Sequence, residues 1–142
     1  MKTQNFKNHA RLVKGFHGLL SLGILVLIIG TVTYLFRGAP GHAYPATLLL
    51  ITAFIFSVLV WYTRSFPLKA QDRAIRAEEN LRYYVRKGTL LPSELKLSQI
   101  IALRFAPDEE YDALMARALE EKLGQKEIKA AIKNWKPDYH RV

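Results

Sequence analysis

The chain has 142 residues, no cysteine, and 21 Lys and Arg against 12 Asp and Glu, for a formal net charge of +9. The lack of cysteine excludes disulfides and thiolate metal sites. A mean hydropathy of +0.01 averages an apolar first half and a charged second half, which excludes an evenly mixed globular chain.

Residues 1–15 form a basic segment with Lys2, Lys7, Arg11 and Lys14 and no acid. Phe16 to Phe36 follows without a charge, and its 21 residues make about 31 Å of helix, matching the ~30 Å hydrocarbon core of a bilayer. The turn from Arg37 to Pro45 is dense in glycine and proline. A second span is expected from about Pro45 to Tyr62, opening on a proline whose missing N–H costs nothing in a first turn. Tyr34 and Tyr44 mark one membrane interface, and Trp61 and Tyr62 mark the other. Residues 16–63 are thus expected to form a transmembrane hairpin. Gly23 and Gly30 on the first span and Ala46, Ala53 and Ser57 on the second are the expected packing seam, because close backbone approach drives helix association in lipid. An oligomer interface uses the same small residues.

The flanks fix the expected orientation. Arg64, Lys69, Arg73, Arg76 and Arg82 follow the second span, whereas the intervening turn carries Arg37 alone, so both termini are expected on the cytoplasmic side of a cell inner membrane. A cleaved signal peptide ending near Gly41-His42-Ala43 is the competing reading of the first span. Its apolar core exceeds the 7 to 15 residues of a signal h-region, and a second span follows at once.

Residues 64–96 read as an amphipathic juxtamembrane helix and loop. The helix is expected from Pro67 to Lys87, stopped by Gly88 in the C′ position. Ala70, Ala74, Ala77, Leu81 and Tyr84 form its apolar side, and Arg73 and Arg76 are candidate contacts to anionic lipid or phosphate. Residues 97–142 read as a small helical C-terminal domain. Ser98 is expected to cap Gln99 to Phe105. Pro107 opens the next helix, with Asp108, Glu109 and Glu110 complementing its dipole and Tyr111, Leu114, Met115, Ala118 and Leu119 facing inward. Gly124 is expected to end it, and a last helix runs from Gln125 to about Lys136. A core of fewer than 50 residues is marginal alone and leans on the juxtamembrane helix as an arm, on the membrane or on a partner.

The segment from Leu119 to Trp135 has the rhythm of a helix-turn-helix, with Lys126, Lys129, Lys133 and Lys136 on one side as candidate phosphate or lipid contacts. Lysines carry little base information, and the preceding helix is acidic. Of the histidines, His9, His17, His42 and His140, none stands at matched depth on facing spans, so no cofactor or metal site is expected. The acidic run from Asp108 to Asp112 lacks the ligand spacing and glycine of a calcium loop. No nucleophile elbow, phosphate loop or interior ionisable residue in a span marks an enzyme or a transport pathway.

Three motifs carry a family resemblance. Gln4-Asn5-Phe6-Lys7-Asn8-His9, then Leu103-Arg104-Phe105-Ala106, and then Lys126-Glu127-Ile128-Lys129 running into Trp135, Asp138, Arg141 and Val142 resemble an uncharacterised bacterial membrane-protein family, a domain of unknown function. Pro107 stands where that family carries a small polar residue, which leaves the helix start intact. The resemblance implies a two-span inner-membrane protein and supplies no activity. The expected class is all-α. The expected role is a non-enzymatic accessory or scaffold protein among membrane lipids, docking a protein partner or a second copy through Phe6, His9, Arg104, Tyr139 and Arg141. A membrane-tethered nucleic-acid binder using the lysine side is the alternative, and a lipid-interacting, membrane-shaping hairpin is a further one.

Overall fold

The computed structural model describes residues 4–9 and 12–139. Their regular structure is all helical, with no strand among the described residues. A π-helical turn, Lys14–Leu20, leads into α1 (Ser21–Arg37). Then come α2 (Ala43–Lys87), α3 (Leu97–Leu103), α4 (Asp108–Glu120) and α5 (Gln125–Ala131). The chain divides into two compact units, Arg11–Phe66 and Met1–Ala10 with Pro67–Val142.

In the first unit two helices are long and apolar enough to cross a membrane. Only 6% of the apolar window of the first and 11% of that of the second is buried within the chain. A core helix of a water-soluble domain is mostly covered, and these two are not. The buried positions of this unit are small residues: Ala46 and Ala53 are fully buried and Thr31 nearly so, with Ser57 half-buried. Gly23 and Gly30 are exposed, and a Cβ built on either meets nothing within 4 Å. Of the residues expected in a seam, the two alanines are buried and Ser57 half-buried, whereas the two glycines leave open space; Thr31, not expected there, is buried as well. Between α1 and α2, Gly41 takes φ +88°, a left-handed conformation that glycine adopts without strain.

α2 corrects the expected break at Pro67. The helix runs unbroken for 45 residues with Pro67 in its interior. Proline has no N–H for the carbonyl of Thr63 and costs about 3 kcal/mol at such a position. The apolar stretch before it and the Ala-, Arg- and Glu-rich stretch after it are strong enough helix formers to bear that cost. The start moves two residues forward to Ala43, which keeps Pro45 in the first turn. Gly88, at φ +74°, donates its N–H to Tyr84 O at 2.8 Å and ends the helix as its C′ residue.

In the second unit, α3, α4 and α5 close around Leu103, Phe105, Tyr111 and Ile128, all fully buried, each contributing roughly 1.5–3 kcal/mol by burial. The arm supplies the missing wall. Tyr83 packs on this core, and the Asn80 side chain accepts the Leu91 N–H at 3.2 Å. Three expected boundaries shift for identifiable reasons. Lys96 rather than Ser98 precedes α3, because the Gln99 side chain accepts the Lys96 N–H at 2.9 Å. α4 ends before Lys122, which takes the left-handed turn at φ 53°, and Gly124 instead opens α5, its N–H bound to the Glu127 carboxylate at 2.6 Å. α5 stops at Ala131 rather than Lys136, because the next backbone N–H groups find partners on α4.

Candidate functional site

Glu110 makes that diversion. Its carboxylate accepts the backbone N–H of Lys133 at 2.9 Å and of Asn134 at 3.0 Å, and the Asn134 side chain at 2.8 Å. Lys136 N–H then donates to Phe105 O at 2.8 Å, laying residues 132–139 along the α3–α4 junction. These bonds hold the Glu110 carboxyl below its ordinary range, the Lys133 backbone N–H contributing most.

The segment so placed receives the beginning of the chain. Gln4 clasps the Asp138 backbone in both directions, donating to its carbonyl at 3.3 Å and accepting its N–H at 2.7 Å. Asp138 in turn pairs through its carboxylate with Arg104 at 3.0 Å, and the Arg104 guanidinium lies 4.6 Å from the Phe105 ring centroid. The His9 ring sits among Phe6, Phe105 and Trp135, with centroids 6.0, 6.1 and 5.6 Å away. His9 Nδ1 lies 2.7 Å from the Phe6 carbonyl, which only accepts, so Nδ1 carries the proton. Nε2 is left as the acceptor facing Lys129 Nζ at 3.4 Å. The two ends of the sequence are thereby joined by polar and aromatic contacts around Phe105.

A cleft of about 420 Å³ lies beside this joint, with Glu78 and Glu79 of α2 on one wall and Arg104, Lys136, Asp138 and Tyr139 on the other. Further along α2 the charges are paired. Arg82 bonds Glu79 at 3.1 Å, Asp108 at 2.8 Å and Ala106 O at 2.8 Å, and lies 4.6 Å over the Tyr111 ring. Arg86 and Lys87 both reach Asp112 at 2.9 Å. Burial opposes the Arg82 charge, but Asp108 and Glu79 outweigh it and hold the guanidinium above its ordinary value. The bond from Arg82 holds Asp108 low. Burial, followed by the Glu79 charge, pushes the Tyr111 phenol far up, so it stays neutral.

The residues expected to dock a partner separate on this map. Arg104, with 11% of its side chain exposed, and His9 are engaged within the joint, whereas Phe6 and Tyr139 keep 40% and 51% of their surface open. Arg141 lies outside the described residues. The expected lysine side of a last helix does not exist as a helix face. Lys126 and Lys129 are on α5 while Lys133 and Lys136 are beyond its end, and Lys129 packs 5.5 Å from the Phe105 ring centroid. Arg73 and Arg76 are exposed on α2. Among the described residues, no group of three His, Cys, Asp or Glu side chains is placed to hold a metal ion. Sequence reasoning missed Gln4 as a clasp and Glu110 as an anchor. Gln4 and Asp138 already stood in the motifs that carried the resemblance, without a role assigned to either.

Fold and site together define an all-α protein with two helices long and apolar enough to span a membrane. The chain belongs to a family of unknown function, DUF6526, whose model matches residues 1–142. No curated protein and no solved structure matches it.

Proposed function

We propose that this protein is a non-enzymatic membrane anchor: a transmembrane hairpin that holds a small helical domain at the cytoplasmic face of a bacterial inner membrane, as an accessory or scaffold subunit of a larger complex. The observation that carries the reading is the joint. Gln4 to His9 precede the first apolar helix, and Arg104, Phe105, Trp135 and Asp138 follow the second, yet they pack in one unit. Contact between them accords with both flanks lying on one side of a bilayer, as an even number of spans would leave them. The excess of Lys and Arg on those flanks supports the cytoplasm as that side. The role of anchor is supported by the 45-residue length of α2, which holds both an apolar stretch long enough to span a membrane and a polar stretch of about 30 Å from Pro67 to Lys87.

The open surfaces of Phe6 and Tyr139 and the mixed-charge cleft beside them suit a protein partner better than a phosphate backbone, because the cleft sets carboxylates against its cations. The test is affinity purification of the tagged full chain from its native host in mild detergent, with mass spectrometry of what co-purifies. A stoichiometric membrane-protein partner is the expected result. A monomer that brings down none, under conditions that preserve known complexes of the same membrane, overturns the reading.

A further inference from the structure

An apolar groove of about 540 Å³ runs between α1 and α2 at the end of the unit that carries Lys14 and Arg64. Its walls include Phe16, Leu20, Leu27, Phe56 and Leu59, and its floor opens at Gly23, where an added Cβ meets nothing within 4 Å. From Phe16 to Leu27 the groove follows roughly 15 Å of helix, which is one leaflet of a ~30 Å hydrocarbon core. Lys14 stands two residues before Phe16, and Arg64 directly follows Thr63, the last residue of the lining.

The charge balance at that end is one-sided. The chain contains no Asp or Glu before Asp72, so neither Lys14 nor Arg64 has a carboxylate anywhere in its own unit. This contrasts with Arg82, Arg86 and Lys87 further along α2, each of which has a carboxylate partner. Two cations without an internal counter-charge, set at the mouth of a leaflet-deep apolar groove, complement a molecule with an anionic head and a long apolar chain.

Resting on the membrane-anchor reading, we infer that this groove is a binding site for one anionic phospholipid of the cytoplasmic leaflet. Its acyl chain lies between α1 and α2 across Gly23, and its phosphate sits at Lys14 and Arg64. A lone basic residue near a membrane surface attracts any anionic lipid weakly. The groove adds a fixed position for the chain and makes the association stoichiometric.

The test uses the full chain, purified in detergent, stripped of lipid, and equilibrated with mixed micelles of equimolar dioleoyl phosphatidylglycerol and dioleoyl phosphatidylcholine. Phospholipid retained after repurification is then counted by mass spectrometry. About one lipid per chain is expected, with phosphatidylglycerol favoured on the order of tenfold. Lys14→Gln with Arg64→Gln brings that preference close to unity. Gly23→Leu, which fills the groove from α1 where there is room for a side chain, removes the retained lipid, and Leu59→Phe does the same from α2. Helical circular dichroism and a single gel-filtration peak establish that each variant is folded. Equal retention of the two lipids by the unmodified chain overturns the inference, as does undiminished retention in both filled variants. A lipid-free dimer by light scattering assigns the groove to a second copy and overturns it as well. Each of these results leaves the anchor reading standing, whereas recovery of the full chain from cells in the soluble fraction overturns both.

Discussion

Arg82 is the position where one substitution tests the packing logic of the helical domain. Arg82→Met keeps the length and apolar body of the side chain over Tyr111 but removes its charge and three polar contacts. Asp108, with 58% of its side chain exposed, rehydrates when abandoned, and its exposed pair is worth at most about 1 kcal/mol. Glu79 is only 6% exposed and has no comparable escape. Breaking a buried pair costs about 3–5 kcal/mol because the surviving charge stays buried. The expected loss is therefore about 3–4 kcal/mol, or roughly 12–32 °C in Tm for a unit of this size. The assay is thermal unfolding of the full chain in detergent. It is read from Trp135 in a Trp61→Phe background, since the chain has only two tryptophans. Adding Glu79→Gln to Arg82→Met should recover more than half of the loss, because the buried charge has gone. A single variant that costs less than about 1 kcal/mol, or a double variant no more stable than the single, would refute the reasoning.

Other consequences can be measured on the same preparation. Asp108 and Glu110 are both held below their ordinary values, so the stability they lend is fully present above about pH 5 and is lost as the pH falls through their lowered values. Unfolding scans should be flat from pH 5 to 7 and move to lower temperature below pH 4. Glu110→Gln should reduce that acid sensitivity and accelerate hydrogen exchange at Lys133 and Asn134, the N–H groups it releases. His9→Ala removes the ring between Phe105 and Trp135 and should cost about 1–2 kcal/mol, with residues 4–9 becoming the first site of limited proteolysis. Because the chain has no cysteine, single introduced cysteines report topology cleanly. In intact cells, Ala39→Cys should react with an impermeant maleimide from the periplasmic side, and Tyr139→Cys only after permeabilisation.

The apolar helices were legible because 21 uncharged residues in a row admit few other fates. The same holds for Gly88, whose position after a long helical run leaves one conformational role. Pro67 was misread because its rule concerns a local cost. Whether a helix continues through it depends on the strength of the helix formers on either side. Gly124 was placed one element too early, since a glycine after a helix and a glycine before one look alike in sequence, and Lys122 took the turn instead. The end of α5 was out of reach because it is decided by Glu110, more than twenty residues away. The joint itself rests on a pair 134 residues apart, Gln4 and Asp138, which no periodicity connects.

That separation orders the life of the chain. Synthesis at ~5–20 residues per second delivers Asp138 several seconds or more after Gln4, when both apolar helices have already left the ribosome. Phe6 and His9 therefore wait uncovered while the roughly one hundred or more residues up to Phe105 and Trp135 are made. A chain truncated before Trp135 cannot cover them. Protection of residues 4–9 in this way reports that Phe105 and Trp135 have been made and have packed.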